Sequence, residues 1–150
     1  MIKVLFVCLG NICRSPMAEF LLKDIVNKKN ISNGFLIESA ATSDEEVGNP
    51  VHYGTKNKLE EKGISVDGKV ARQLTKDDYY KYDYILAMEE RNVRDIKRIV
   101  GNDKEEKIYR LLDFSNNPRD IADPYYTGDF DVTYDDIIEG LQGFLKHLKY

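Results

Sequence analysis

The first seven residues, Met1-Ile2-Lys3-Val4-Leu5-Phe6-Val7, hold one polar side chain and show no polar–apolar alternation. A run this apolar and β-branched reads as a short strand buried on both faces. Downstream, Pro16 stands where a first helical residue belongs, and Ser15 is placed to cap it. Ala18, Leu21, Leu22 and Ile25 then recur at helical spacing. Between strand and helix lies Cys8-Leu9-Gly10-Asn11-Ile12-Cys13-Arg14-Ser15, a loop that begins on a thiol and ends on a guanidinium.

That position sets the chemistry open to the loop. A helix N-terminus offers unpaired N–H groups and the positive end of a dipole, which together bind anions. Successive N–H groups in such a turn form a nest, and the five residues between Cys8 and Arg14 are enough to curl around a tetrahedral dianion. Gly10 is expected to take a backbone conformation that a side chain would obstruct. Arg14 can grip two phosphoryl oxygens with its planar fork. In that field Cys8 is expected to act as a thiolate. A thiolate beside a bound phosphate implies phosphoryl transfer to sulfur. The loop fits neither the Gly-Lys-Ser/Thr ending of a Walker motif nor the Gly-x-Gly-x-x-Gly dinucleotide fingerprint.

Further along, Phe35-Leu36-Ile37-Glu38-Ser39-Ala40-Ala41 reads as a second strand and Tyr82 to Met88 as a third. Lys107 to Leu112 gives a short fourth. The intervening segments predict helices from Ser15 or Pro16 to Lys29, from Val51 to Lys62 with Gly63 closing it, and one ended by Gly101. Residues 114–128 read as loop. A last helix of about 18 residues carries Tyr134, Ile137, Ile138, Leu141, Phe144, Leu145 and Leu148 on one face. Strands alternating with helices imply a parallel sheet with helices on both faces, in three layers. Ligands are then expected at the carboxyl ends of the strands, where Cys8 lies.

The 150 residues make one domain, 1–150, with 32% charged residues and a net charge of −4, so no basic surface argues for nucleic acid. No stretch reaches the ~20 apolar residues of a membrane span, and the first residues lack a signal-peptide pattern. Two cysteines make neither a disulfide framework nor a zinc site. The cytoplasm is the expected compartment. A thiolate that expels an alkoxide or phenoxide needs a positioned acid. The two histidines, His52 and His147, sit in unpromising surroundings, and Asp123 in Ile121-Ala122-Asp123-Pro124-Tyr125-Tyr126 is the better candidate.

The Cys-x5-Arg-Ser segment at the first strand, together with Asp123-Pro124-Tyr125-Tyr126, resembles the low-molecular-weight protein tyrosine phosphatases, compact bacterial members among them. The resemblance extends over nearly the whole chain and implies a bacterial source. It implies a sheet in the order 2-1-3-4, with Cys8 as nucleophile, Arg14 as phosphate clamp and Asp123 as general acid and then base. Leu9, Gly10, Asn11, Ile12, Cys13 and Ser15 would surround the phosphate, and Tyr125 and Tyr126 the substrate ring. Ser39 would hold the loop by hydrogen bonds with Asn11 and Ser15. Glu89, where the family often has an aspartate, would form a salt bridge. The substrates implied are phosphotyrosine-containing proteins, with a tyrosine kinase as counterpart, and neither metal nor organic cofactor is required. A peroxide-driven Cys8–Cys13 disulfide and phosphorylation of Tyr125 or Tyr126 are further family-derived implications.

One departure concerns the pocket rim. Animal members commonly place an aromatic residue where Glu45 stands, and Glu45 with Glu46 predicts poor acceptance of acidic phosphopeptides. Three other activities were weighed. Arsenate reduction on this fold needs relay cysteines, and none follows Cys13. Protein arginine phosphatases resemble the chain but place threonine where Ile12 stands, whereas Leu9 and Ile12 offer apolar walls suited to a phenyl ring. A non-catalytic phosphate-binding or adaptor module would be expected to lack one of Cys8, Arg14 or Asp123, and all three are present.

Overall fold

The computed structural model describes residues 1–150. Strand β1 (Ile2–Cys8) lies at the middle of a four-stranded sheet, paired on one side with β2 (Phe35–Ala41) and on the other with β3 (Tyr84–Ala87), with β4 (Ile108–Arg110) at the far edge. All pairings are parallel and the order is β2-β1-β3-β4, as the resemblance implied. The register runs from Ile2 opposite Phe35 to Cys8 opposite Ala41, so the nucleophile candidate closes the central strand.

The apolar run works as its composition suggested. Val4, Leu5, Phe6 and Val7 are fully buried, and successive side chains enter different cores. Val4 and Phe6 pack with Met17, Leu21 and Leu22 of helix α1 (Arg14–Lys28) and with Ile137, Leu141 and Phe144 of the terminal helix. Leu5 and Val7 pack with Tyr82, Ile85, Val93, Ile96 and Ile108 on the opposite face. Each such side chain contributes roughly 1.5–3 kcal/mol on burial, which commits both faces to helical cover.

The remaining helices are α2 (Tyr53–Glu60), α3 (Asp78–Lys81), α4 (Glu90–Val100), α5 (Pro124–Thr127) and α6 (Phe130–His147). α4 ends at Gly101, whose φ of 93° lies in the left-handed region. No helix is long and apolar enough to cross a membrane.

Several expectations shift. Helix α1 starts at Arg14, one residue before the Ser-Pro pair, with Cys13 at the N-cap position and no side-chain cap. Ser15 is inside the helix, and its hydroxyl is taken up by Cys8 and Asn11. α2 is shorter than Val51–Lys62 because His52 caps it, its Nδ1 accepting from the Gly54 N–H at 3.1 Å. β3 begins only at Tyr84, since Tyr82 donates to Glu38 and the Asp83 carboxylate accepts from the Lys3 N–H. β4 stops at Arg110, where a 3₁₀ turn (Leu111–Phe114) begins. Two four-residue helices, α3 and α5, arise where the sequence suggested none.

Candidate active site

The loop from Cys8 to Arg14 is held from outside by its own carbonyls. Cys8 and Leu9 accept from the N–H groups of Thr42 and Ser43 at 2.9 and 3.1 Å. Ile12 accepts from the His52 N–H at 2.9 Å, and Cys13 from the Thr55 hydroxyl at 3.0 Å. Carbonyls bound outward leave the loop's N–H groups to its concave side, the arrangement of an anion nest. The first turn of α1 has neither a side-chain cap nor an acidic residue, so its free N–H groups remain available to a ligand.

The left-handed residue of the loop is Asn11, at φ 58°, and not Gly10. Asparagine tolerates this conformation better than most side chains. A Cβ at Gly10 would lie 3.4 Å from Glu46 Cγ, an ordinary contact, so neither backbone strain nor crowding by that side chain demands glycine there.

Beneath the loop runs a hydrogen-bonded chain with a single direction. The backbone N–H of Arg72 can only donate, so the Asn11 Oδ1 that it meets at 3.2 Å is the acceptor end of that amide. Asn11 Nδ2 therefore donates to Ser15 Oγ at 2.7 Å and to Ser39 Oγ at 2.9 Å. Ser39 in turn donates to Glu19 Oε1 at 2.5 Å. Ser15 Oγ lies 3.0 Å from Cys8 Sγ with its proton free to point there, and the Asn11 N–H approaches the same sulfur at 3.3 Å. Asn11, Ser15 and Ser39 are essentially inaccessible. Ser39 thus meets Asn11 as foreseen, but the side chains of Asn11 and Ser15 brace the loop from below and do not line the pocket.

Arg14 is 2% exposed and tied down at one end. Its Nη1 donates to Glu89 Oε2 at 2.5 Å and to the Ile121 carbonyl at 2.8 Å, while Nη2 meets Asp123 Oδ2 at 3.4 Å. Nε is buried without a partner. Burial works against the guanidinium, but the negative charges of Cys8, Asp123 and Glu89 outweigh it and raise its pKa. Asp123 also caps α5, its Oδ1 accepting from the Tyr125 N–H at 3.0 Å. Pro124 fills the first helical position, and Tyr125 and Tyr126 of α5 are more than half exposed.

These parts meet around a cavity of about 130 Å³. Cys8, Cys13 and Arg14 line it on one side, Leu9, Gly10 and Ile12 belong to its loop wall, and Asp123, Tyr125 and Tyr126 come from α5. Glu45 and Glu46 stand at the same cavity. Cys13 is held as a thiol, its pKa pushed up to about 12 by burial and then by the neighbouring charge of Cys8. A larger open groove of about 800 Å³ beside α1 and β2 contains neither cysteine nor Arg14.

Sequence reasoning missed Glu19, Thr42, His52, Thr55 and Arg72 as parts of the site. Glu19 is 4% exposed and also pairs with Lys23 at 2.6 Å and Lys69 at 3.2 Å. Its only sequence signal was an i,i+4 pairing with Lys23, the same signal an exposed helix face gives. Glu89 does form the salt bridge that the resemblance implied, and its partner is Arg14.

Comparison with known proteins identifies the family of the chain. The family model described as low molecular weight phosphotyrosine protein phosphatase matches residues 3–150. The low molecular weight protein-tyrosine-phosphatase YfkJ of Bacillus subtilis is 41% identical over 151 residues, covering 99% of this chain and 97% of its own. Its crystal structure superposes with a TM-score of 0.95 over 99% of this chain and 95% of that one. The low molecular weight phosphotyrosine protein phosphatase of Rattus norvegicus is 43% identical over 148 residues, 95% of this chain and 93% of its own. A Drosophila arginine phosphatase is 31% identical, with a TM-score of 0.91 and 99% of each chain covered. With a family model spanning nearly every residue and relatives above 40% identity, the chain belongs to the low molecular weight phosphotyrosine protein phosphatases and is an enzyme of that family.

Proposed function

We propose that the chain hydrolyses phosphotyrosine in proteins through a phosphocysteine on Cys8. The observation that carries this reading is the meeting of Cys8, Arg14 and Asp123 at one small cavity whose loop carbonyls are taken up by partners outside the loop. The phosphoryl group would sit in the nest, with the unpartnered Nε of Arg14 supplying a donor to its oxygens. Cys8 Sγ attacks phosphorus, an S–P bond forms as the P–O bond to the tyrosyl oxygen breaks, and Asp123 gives that oxygen its proton. Asp123, now a carboxylate, takes a proton from water as the water attacks phosphorus. The S–P bond then breaks and inorganic phosphate leaves. The Asn11 N–H donates toward the sulfur, and the Ser15 hydroxyl at 3.0 Å can donate to it once it is a thiolate, so both would stabilise it as attacking and as leaving group. Arg14 and the N–H groups offset the charge on the equatorial oxygens.

The choice of phosphotyrosine rests on the walls. Leu9 and Ile12 line the cavity with apolar surface, and the exposed rings of Tyr125 and Tyr126 extend it, so a phenyl ring has faces to stack on. The likeness to an arginine phosphatase makes phosphoarginine the competing substrate. Phosphate release from matched phosphotyrosyl and phosphoarginyl peptides, with Cys8→Ser as control, tests both. Release from phosphotyrosine, lost in Cys8→Ser, is the expected result. Preference for phosphoarginine overturns the specificity, and release from neither points to a phosphate-binding module.

A further inference from the structure

Charge at the mouth of the cavity is divided across Leu9. Glu45 and Glu46 line the catalytic cavity and are absent from the depressions on the other side of Leu9. There, a trough of about 230 Å³ is lined by Arg14 and Arg91 together with Glu89 and Asp123, and a crevice of about 370 Å³ is lined by Arg91 and Arg98 with Asp95 between them in sequence. Leu9 lines all three, so the depressions adjoin the catalytic cavity at that side chain. The side chains of Arg91 and Arg98 are 66% and 77% exposed. Asp95 is the carboxylate partner of both, at 2.5 Å from Arg98 but 4.0 Å from Arg91, which leaves Arg91 with most of its donor fork free. The crevice also holds Thr42, which is 8% exposed, and the Thr42 hydroxyl has no hydrogen-bond partner. A buried hydroxyl is normally satisfied, so Thr42 leaves a spare donor in the floor of the crevice, closed to solvent as the side chains stand. Thr42, Ser43, Arg91 and Arg98 take no part in the phosphoryl transfer described above.

We propose that the crevice formed by Thr42, Ser43, Arg91 and Arg98 is a substrate subsite for an acidic side chain, Asp or Glu, that neighbours the phosphotyrosine. The wall of Glu45 and Glu46 accepts basic neighbours on the other side of it. The enzyme then selects phosphopeptides by the order of charges along the chain, not by their net charge. The inference rests on the reading of the Cys8 cavity as a phosphotyrosine site and names the flanking sequence that site prefers.

The test uses two phosphotyrosyl peptides of identical composition, one with two glutamates before the phosphotyrosine and two lysines after it, the other with the order reversed. The readout is the ratio of their kcat/KM values on the same enzyme, so any effect common to both peptides cancels. Exposed charge pairs of this kind support a ratio of about threefold to tenfold, carried by KM and reduced in about 0.5 M salt. The ratio is expected to fall to one or below in the double variant R91E/R98E and to persist in R91K. A ratio of one in the wild-type enzyme, or a ratio unchanged in R91E/R98E, overturns the subsite. Failure of the wild-type enzyme to release phosphate from free phosphotyrosine overturns the parent reading and this one with it, an outcome distinct from a flat ratio.

Discussion

Asn11 is the residue whose loss should be felt most widely, and its cost can be worked from the structure. Its side chain makes three hydrogen bonds, to Ser15 Oγ at 2.7 Å and Ser39 Oγ at 2.9 Å, both buried, and from the part-buried Arg72 N–H at 3.2 Å. At about 1 kcal/mol each, their removal amounts to roughly 3 kcal/mol. The backbone adds a second contribution, because φ at Asn11 is 58° and a residue with an ordinary Cβ is disfavoured there by roughly 1–2 kcal/mol. Asn11→Ala should therefore destabilise the fold by about 4 kcal/mol, and Asn11→Gly by about 1 kcal/mol less, since glycine relieves the strain but restores no hydrogen bond. Urea unfolding of the two variants beside the wild type measures both numbers. On the proposed mechanism each variant should also lose about a hundredfold in kcat, because the Asn11 N–H and Ser15 would no longer be held against Cys8. Destabilisation below 1 kcal/mol in Asn11→Ala, or an alanine variant as stable as the glycine variant, would refute the account of this loop.

Two further predictions concern stability. A Cβ at Gly143 would stand 2.1 Å from the Phe114 carbonyl oxygen, a backbone atom that cannot move without parting α6 from the 3₁₀ turn. Gly143→Ala should cost about 2 kcal/mol and lower the Tm by about 4–8 °C, whereas Gly34→Ala, which meets nothing nearer than the Tyr150 hydroxyl at 3.9 Å, should leave the Tm within about 2 °C of wild type. At Asp78 burial opposes ionisation, but Arg72 at 3.0 and 3.2 Å and the Thr75 N–H at 2.8 Å prevail and lower its pKa. A depressed carboxylate contributes stability that is fully present above its unfolded pKa, near 3.8, and is lost as pH falls toward the folded value. The stability gap between wild type and Asp78→Asn should thus be wide at pH 6 and close below about pH 4 in denaturant titrations; a gap independent of pH would contradict it.

The parts of the molecule legible in the sequence are those governed by local pattern. β2 spans Phe35–Ala41 as its composition indicated, α4 ends at Gly101, and α6 carries the apolar face that a 3.6-residue period marks out. Cys8 and Arg14 were visible because a strand end and a helix start bracket them. What escaped notice depends on partners far away in the chain. Ser15 before Pro16 has the local appearance of a cap, and only Asn11 and Cys8, brought back by the loop, explain why its hydroxyl is used elsewhere. Thr55 lies 42 positions from the Cys13 carbonyl it serves, and no periodicity announces that. Gly10 was the natural candidate for the left-handed residue, yet Asn11 takes that conformation because its amide is anchored at both ends.

The site divides into a fixed half and a tethered half, and Arg14 joins them. The nucleophile side is braced by buried groups whose hydrogen bonds all run in one sense, from the Arg72 N–H through Asn11 to the two serines. The Asp123 side is a helix of four residues with Pro124 buried and two tyrosines exposed. Ile121 donates to the Met88 carbonyl, Ala122 accepts from Thr133, and Arg14 reaches both the Ile121 carbonyl and the Asp123 carboxylate. One guanidinium thus touches the Ile121 carbonyl, Asp123 and Glu89, and still keeps Nε unpartnered. A lysine has a single ammonium on a flexible stem and cannot meet three fixed acceptors in different directions while leaving a donor free. On the proposed mechanism, the arginine at position 14 would serve as much to hold Asp123 near Cys8 as to neutralise a bound phosphate.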